Sequence, residues 1–277
     1  MADPLQPLKD GSKMLWSLGD YRLTAGVLEP EAQALVARAG MRPGLAVLDV
    51  AAGNGNFAIA AARAGARVVA TDLTPRMVEW GRERSAADGL AMEWLEADAE
   101  ALPFEDGRFD VVGSTFGAQF APRPDVVARE LFRLIKPGGL VAMANWTAAG
   151  FSGKLSALTT SYAPPAPMAL PSAMEWGDPD EVRRRFLGLA SSVEVERRAA
   201  RFAFASTKAG QEFFEHTNPA LLVLSRMLPA ERYAKLLEGA RGLVEQGCRP
   251  VDGGVVLDNE YLVVLARKTL TESAPGP

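Results

Sequence analysis

The chain has 277 residues, of which 48% are hydrophobic and 23% charged, and a formal net charge of −4. These totals describe a soluble globular chain long enough for one α/β domain with insertions. The acidic balance argues against a nucleic-acid partner, and one cysteine with one histidine excludes an intrachain disulfide, a Cys/His zinc site and a cysteine-held iron–sulfur cluster. No compact acidic cluster suggests any other metal. The opening "MADPLQPLKDGSK" lacks signal-peptide character, and no apolar run approaches the ~18–20 residues needed to span a bilayer. A cytoplasmic protein with no membrane partner is expected, and its single cysteine suits a reducing compartment.

A helix is predicted over Glu29–Gly40, opened by Glu29, Pro30 and Glu31 and closed by Gly40. "LAVLDV" reads as a buried strand from its unbroken apolar, β-branched run. "GNFAIAAARAG" follows as a helix of small residues, then "ARVVATD" as a strand. "TPRMVEWGRERSAADG" is a helix with Pro75 at its first position, and "MEWLEAD", "RFDVVGSTF" and "GLVAMANW" are further strands. Between the last two lies the helix "RPDVVARELFRLIK", stopped by "PGG".

After Trp146 the pattern loses its period through a stretch rich in Pro, Ala and Met. "RRR" at Arg183–Arg185 reads as the solvated side of a helix. Two strands, "SSVEVERRAARFAFAS" and "GVVLDNEYLVVLARK", then flank the helices "TKAGQEFFEHTN" and "AERYAKLLEGARGLVEQG", and the tail "TLTESAPGP" reads as disordered. One domain is expected, with a helical segment over 1–40, a ligand-binding core over 41–146, remaining strands with insertions over 147–268, and a tail over 269–277.

Strands alternating with helices indicate βαβ units and a parallel sheet, whose right-handed crossovers bring all carboxyl ends to one edge. The glycines after the first strand, Asp72, Asp98 and Ser114–Phe116 converge there, where such sheets bind ligands. Gly53, Gly55 and Ala58 satisfy the loose G-x-G-x-x-(G/A) pattern of dinucleotide binding, and Asp72 stands where a ribose-binding acid belongs. A nicotinamide-dependent oxidoreductase is therefore one reading. Asp49 opposes it, because a carboxylate ending the first strand repels a pyrophosphate on the following helix. No tyrosine is followed four residues later by lysine, as in short-chain reductases. A ligand carrying an ammonium, a sulfonium and ribose hydroxyls without phosphate suits Asp49, and S-adenosylmethionine has that chemistry.

At this point the sequence resembles the class I S-adenosylmethionine-dependent methyltransferases, in the small-molecule branch that includes ubiquinone/menaquinone-type enzymes. "VLDVAAGNG" is similar to that family's glycine-rich motif, "ATD" to its ribose acid, "EADAEALPFEDGRFDVV" to its adenine segment, and "IKPGG" to its "LKPGG". The resemblance spans about Trp16–Trp146. It implies a Rossmann-like, doubly wound α/β fold with a mostly parallel seven-stranded sheet and an antiparallel last strand. It also implies a small-molecule methyl acceptor, with S-adenosylhomocysteine as coproduct.

By the same resemblance, Asp49 and the loop Ala51, Gly53, Asn54, Gly55 hold the amino-acid end, and Asp72 takes the ribose. Leu73 and Met77 pack on the adenine, Asp98, Ala99 and Glu100 read its edge, and Thr115, Phe116 and Gln119 sit near the sulfonium. Tyr21 closes over the cofactor. Ala51 stands where glycine is usual, which is tolerable if its φ is negative. Asp72 also suits a helix-cap role ahead of "LTPRM".

His216 is the natural candidate for a catalytic base, although its place before Pro219 also suits a helix cap. Tyr162, Asp178 and Glu215 are weaker candidates. The insertion Phe151–Trp176 reads as a lid over a hydrophobic or aromatic acceptor, a natural-product intermediate or quinone precursor. A non-methylating S-adenosylmethionine-binding protein or cyclase carries the same motifs, and a homodimer is left open.

Overall fold

The computed structural model describes residues 3–165 and 168–270; the expected disorder of the tail lies, from 271 on, outside the described residues. In chain order the elements are α1 (Gln6–Trp16), α2 (Tyr21–Arg38), β1 (Ala46–Val50), α3 (Asn56–Arg63), β2 (Arg67–Asp72), α4 (Pro75–Ala87) and β3 (Glu93–Glu96). Then come β4 (Phe109–Thr115), α5 (Pro124–Leu134), β5 (Ile135–Trp146), α6 (Phe151–Tyr162), α7 (Pro179–Arg185) and β6 (Ala190–Phe204). The chain continues through α8 (Thr207–Thr217), α9 (Pro219–Met227), α10 (Ala230–Gly247), β7 (Cys248–Val251) and β8 (Gly254–Lys268).

The strands form one sheet in the order β3-β2-β1-β4-β5-β8-β6. The first five run parallel, and β8 inserts antiparallel between β5 and β6. This is the expected mostly parallel sheet with a reversed last strand. One short strand is additional: β7 folds back on β8 as a hairpin outside the main order. Alternation along β1 feeds a core on each face. Val47 packs with Leu35, Phe57 and Val111 on one side, and Leu48 with Val112, Leu131 and Val141 on the other.

Four helices depart from the sequence reading. Helix α2 begins at Tyr21, well before Glu29, and carries Pro30 inside it. Asp20 caps it through Oδ1, which accepts from the Arg22 N–H at 3.1 Å. Its buried stripe Ala25, Leu28, Ala32, Leu35 and Val36 runs past the proline, so burial of a whole face outweighs the ~3 kcal/mol cost of an interior proline. Helix α5 stops at Leu134 rather than Lys136, because Pro137 disfavours helical backbone before it and Ile135 pairs instead with Phe109. Finally, the aperiodic stretch contains α6, which buries Phe151, Leu155 and Thr159 at four-residue spacing. The short α9, opened by Asn218 and Pro219, also escaped the sequence reading.

The arginine run is divided. Arg183 and Arg184 are exposed, but Arg185 is buried, paired with Glu175 and lying over the Trp176 ring. It is an anchor of the segment after α6 rather than part of a solvated face.

Candidate active site

The parallel strands deliver their carboxyl ends to one edge, where residues 51–55 turn from β1 into α3. Gly53 has φ +56°, and a Cβ there would lie 3.2 Å from Cε1 of Tyr21, so the tyrosine ring rests directly on the turn. Only glycine combines that conformation with that approach. The Gly53 N–H donates to Asp72 Oδ2 at 2.8 Å, and the Thr74 N–H donates to Asp72 Oδ1 at 2.8 Å. One carboxylate therefore ties the β1 loop to the β2 loop from the cavity wall; α4 has Thr74 as its N-cap and no side-chain cap bond, so Asp72 does not take the helix-cap role. Burial pushes the Asp72 pKa up, against the lowering effect of those two N–H groups.

Asp49 ends β1 beneath the same turn. Its Oδ2 accepts from the Ala58 N–H at 2.9 Å, while Oδ1 is buried with no partner among the described residues. Burial, and then the neighbouring Asp72, raises the Asp49 pKa well above the carboxylate range. Thr115 Oγ1 is likewise buried and unpartnered. Ala51 adopts φ +53°, so the condition of a negative φ fails. An alanine in the left-handed region costs ~1–2 kcal/mol. Gly117 leaves room for this turn, since a Cβ there would meet the Ala51 carbonyl oxygen at 2.0 Å.

Around these groups lies a cavity of about 830 Å³, counted to its open mouth, walled by Ala51–Gly53, Asp72–Thr74, Met77, Asp98, Ala99 and Thr115–Ala118. Its roof comes from the N-terminal segment: Lys9, Ser12, Trp16 and Tyr21. Lys9 is buried, and its Nζ lies 2.7 Å from Asp3, 2.6 Å from Asp98 and 2.7 Å from Glu100. Burial disfavours the ammonium, but the three carboxylates more than offset this and raise its pKa. Arg123 closes the cluster, reaching Glu100 at 2.5 Å and Asp3 at 2.8 Å. Helix α1 is thus clamped by charge over the strand tips.

A second chamber of about 940 Å³, counted to its mouth, opens beside the first between α1, α2, α6, α8 and α9. Trp16, Tyr21, Phe116 and Phe120 line both. Beyond this aromatic collar the walls are Leu15, Leu28, Trp146, Phe151, Leu155, Met174, Phe202 and Phe214, with a few hydroxyls and Asn218. Among the described residues no acid, lysine, arginine or histidine faces it. Phe116, at φ +60°, stacks on Trp146 with ring centroids 3.9 Å apart and planes at 12°. Such backbone strain in a bulky residue persists only where the surroundings fix it.

Comparison with known proteins supplies the family. Residues 48–143 match the model of a methyltransferase domain. An uncharacterized protein of Mycobacterium tuberculosis is 38% identical over 259 residues, 92% of this chain and 93% of its own. A demethylmenaquinone methyltransferase of Clavibacter sepedonicus is 37% identical over 140 residues, 50% of this chain and 51% of its own. The chain belongs to the class I S-adenosylmethionine-dependent methyltransferases. Its fold agrees with that of the YcgJ protein of Bacillus subtilis, at a TM-score of 0.62 and 17% identity over 86% of this chain and 98% of the other.

The methyltransferase fold brings together most, not all, of the expected site. Tyr21, Ala51, Gly53, Asp72, Leu73, Met77, Asp98, Ala99, Thr115 and Phe116 share the first cavity. Asp49 and Asn54 border a small cleft just beneath it, with Tyr21 and Thr115. Gly55 turns away toward Trp94, whose Cη2 lies 2.6 Å from where its Cβ would be. Glu100 does not face the cavity: its carboxylate is consumed by Lys9, the Arg123 side chain and the Arg123 N–H. Gln119 is buried behind the collar, its Oε1 accepting from the Trp146 N–H at 2.8 Å.

His216 faces neither cavity. It is exposed in the last turn of α8, with Nδ1 2.6 Å from the carbonyl of Glu212 inside the same helix, so it does not cap the last carbonyls either. The weaker base candidates are also engaged elsewhere. Asp178 caps α7, Glu215 pairs with Arg241, and Tyr162 carries Arg232 over its ring. Lys9, Trp16 and Phe120 were missed by the sequence reading. For Lys9, burial of a charge in a terminal helix has no sequence signal; Trp16 sat at the resemblance boundary.

Proposed function

We propose that this methyltransferase holds S-adenosylmethionine in the strand-tip cavity and a small hydrophobic or aromatic acceptor, natural-product-like or quinone-like, in the adjoining chamber. The observation that carries this reading is the collar. Trp16, Tyr21, Phe116 and Phe120 belong to both walls, so two ligands of different character would meet across a single aromatic boundary. The similarity to a demethylmenaquinone methyltransferase over half the chain supports a ring-bearing acceptor.

The residues present fit the cofactor. The unpartnered oxygens of Asp49 and Thr115 suit the ammonium of its amino-acid end, together with the turn through Ala51, Gly53 and Asn54. Each Asp72 oxygen accepts one N–H and keeps a further lone pair for a ribose hydroxyl. Leu73, Met77 and Ala99 would flank the adenine, and Asp98 would stand at its edge with Lys9. When bound, the cofactor supplies a methyl carbon activated by a sulfonium. The protein's own part is alignment and exclusion of water, worth up to ~7–11 kcal/mol for well-oriented partners. Tyr21, pushed up to about 12 by burial and by Asp72 and Asp49, keeps its proton at neutral pH and acts as a wall and donor.

Calorimetric titration with S-adenosylhomocysteine tests the cofactor site. Mass spectrometry of a mixed pool of phenolic, hydroquinone and charged aliphatic acceptors, incubated with isotope-labelled cofactor, tests the acceptor class. Labelled methyl appearing in aromatic acceptors is expected; labelling confined to charged aliphatic acceptors would overturn the proposal.

A further inference from the structure

The chamber's walls say more about its occupant than hydrophobicity alone. Among the described residues they hold no formal charge, and their polar atoms are largely turned into the protein. The Thr159 hydroxyl donates to the Leu155 carbonyl at 3.0 Å, Thr217 to the Phe213 carbonyl at 2.8 Å, and Ser152 Oγ accepts from Asn259 at 2.7 Å. An ionised ligand group would lose its water and find no counter-charge, a cost far above that of a neutral polar group. What the walls do offer is ring surface: the Phe116–Trp146 stack at one end, and Phe151 against Phe214 at 4.4 Å at the other. Flat aromatic surfaces favour offset or edge contacts with another ring.

We infer, resting on the two-ligand reading above, that the chamber selects an uncharged planar aromatic acceptor and rejects the same skeleton bearing a carboxylate or phosphate. The absence of a base from the walls completes the description. Among the described residues no acid, lysine or histidine stands on the chamber wall to take a proton from the acceptor.

The test uses equilibrium binding, with turnover left out. S-adenosylhomocysteine is titrated first, and its binding reports on the cofactor cavity alone. The loaded protein is then titrated with 2-naphthol, 2-naphthoate and 2-naphthylmethylammonium, which share one ring system and differ in charge. Preference for 2-naphthol by ~10-fold or more over both ions is expected from the desolvation cost. Ser156 lies on the chamber wall, half-buried in α6, and Ser156→Lys would place a cation there. That variant should reverse the order, with naphthoate bound more tightly than naphthol. Equal or tighter binding of either ion by the unaltered protein would overturn the inference, as would no detectable binding of naphthol. Failure of Ser156→Lys to recruit naphthoate would overturn charge absence as the cause.

Discussion

The two cavities that meet at the aromatic collar are made from different parts of the chain by different means. The strand-tip cavity is walled by turns, by backbone N–H groups and by carboxylates whose positions are fixed by sheet register. Asp49 pairs with Ala70 and Gly113, and Asp72 with Glu96. The chamber is walled mainly by side chains from helices packed on the sheet, joined by Trp146 of β5 and Phe202 of β6. Register fixes a polar group to within a fraction of an ångström, which suits an invariant ligand. Helix packing fixes only an apolar volume, which can be reshaped by substitution. The difference teaches why one half of such a protein is legible as motif and the other only as composition.

The largest expected effect breaks the roof that the two cavities share. Lys9→Met leaves Asp3, Asp98 and Glu100 facing one another with only Arg123 between them. Loss of one partner of a buried ion cluster costs ~3–5 kcal/mol. Hydrogen exchange should show α1 opening, and S-adenosylhomocysteine should bind more weakly while β5 and β8 stay protected. Next, Asp72→Ala removes the acceptor for both the Gly53 and Thr74 N–H groups. Each buried unsatisfied group costs ~1–3 kcal/mol, so cofactor affinity by calorimetry should fall by at least that much. Binding of naphthol in the chamber should hold; if it fell equally, the two cavities would not be separable.

Asp49→Asn sharpens the contrast within the polar half. Because burial raises the Asp49 pKa, the ligand-free fold binds this proton more tightly than the unfolded chain does. Stability attributable to the group therefore falls as pH rises from the ordinary carboxylate range through the raised value. The asparagine variant should be more stable than the parent at neutral pH, by ~1–2 kcal/mol, and should bind S-adenosylhomocysteine more weakly. Thermal denaturation across pH, with and without ligand, measures both. The smallest effect is expected at His216→Ala. Turnover should be unchanged and stability altered by no more than ~0.5 kcal/mol, since the side chain is exposed and hydrogen-bonds within its own helix.

Much of the polar half could be read from the chain because its requirements are local. A β-branched run, an acid at its end, a glycine at φ +56° and a second acid at the next strand end lie close in sequence. What escaped the reading depended on distance. Lys9 reaches Asp98 across 89 positions, and nothing near Lys9 announces that it is buried. Ala51 was legible as a departure from glycine, but its positive φ and its close approach to Gly117 in another loop were not. Gln119 was expected near the sulfonium from the family resemblance. The short turn Ala118–Phe120 rotates it instead toward the Trp146 backbone. Helices α6 and α9 lie in the same class, since the residues they bury pack against segments distant in the chain.

Trp16 and Tyr21 stand on either side of the α1–α2 junction, and each forms wall in both cavities. A single outward swing of residues 16–21 would therefore unroof donor and acceptor together. With cofactor and acceptor placed as proposed, spent cofactor and methylated product would then both leave past this one junction.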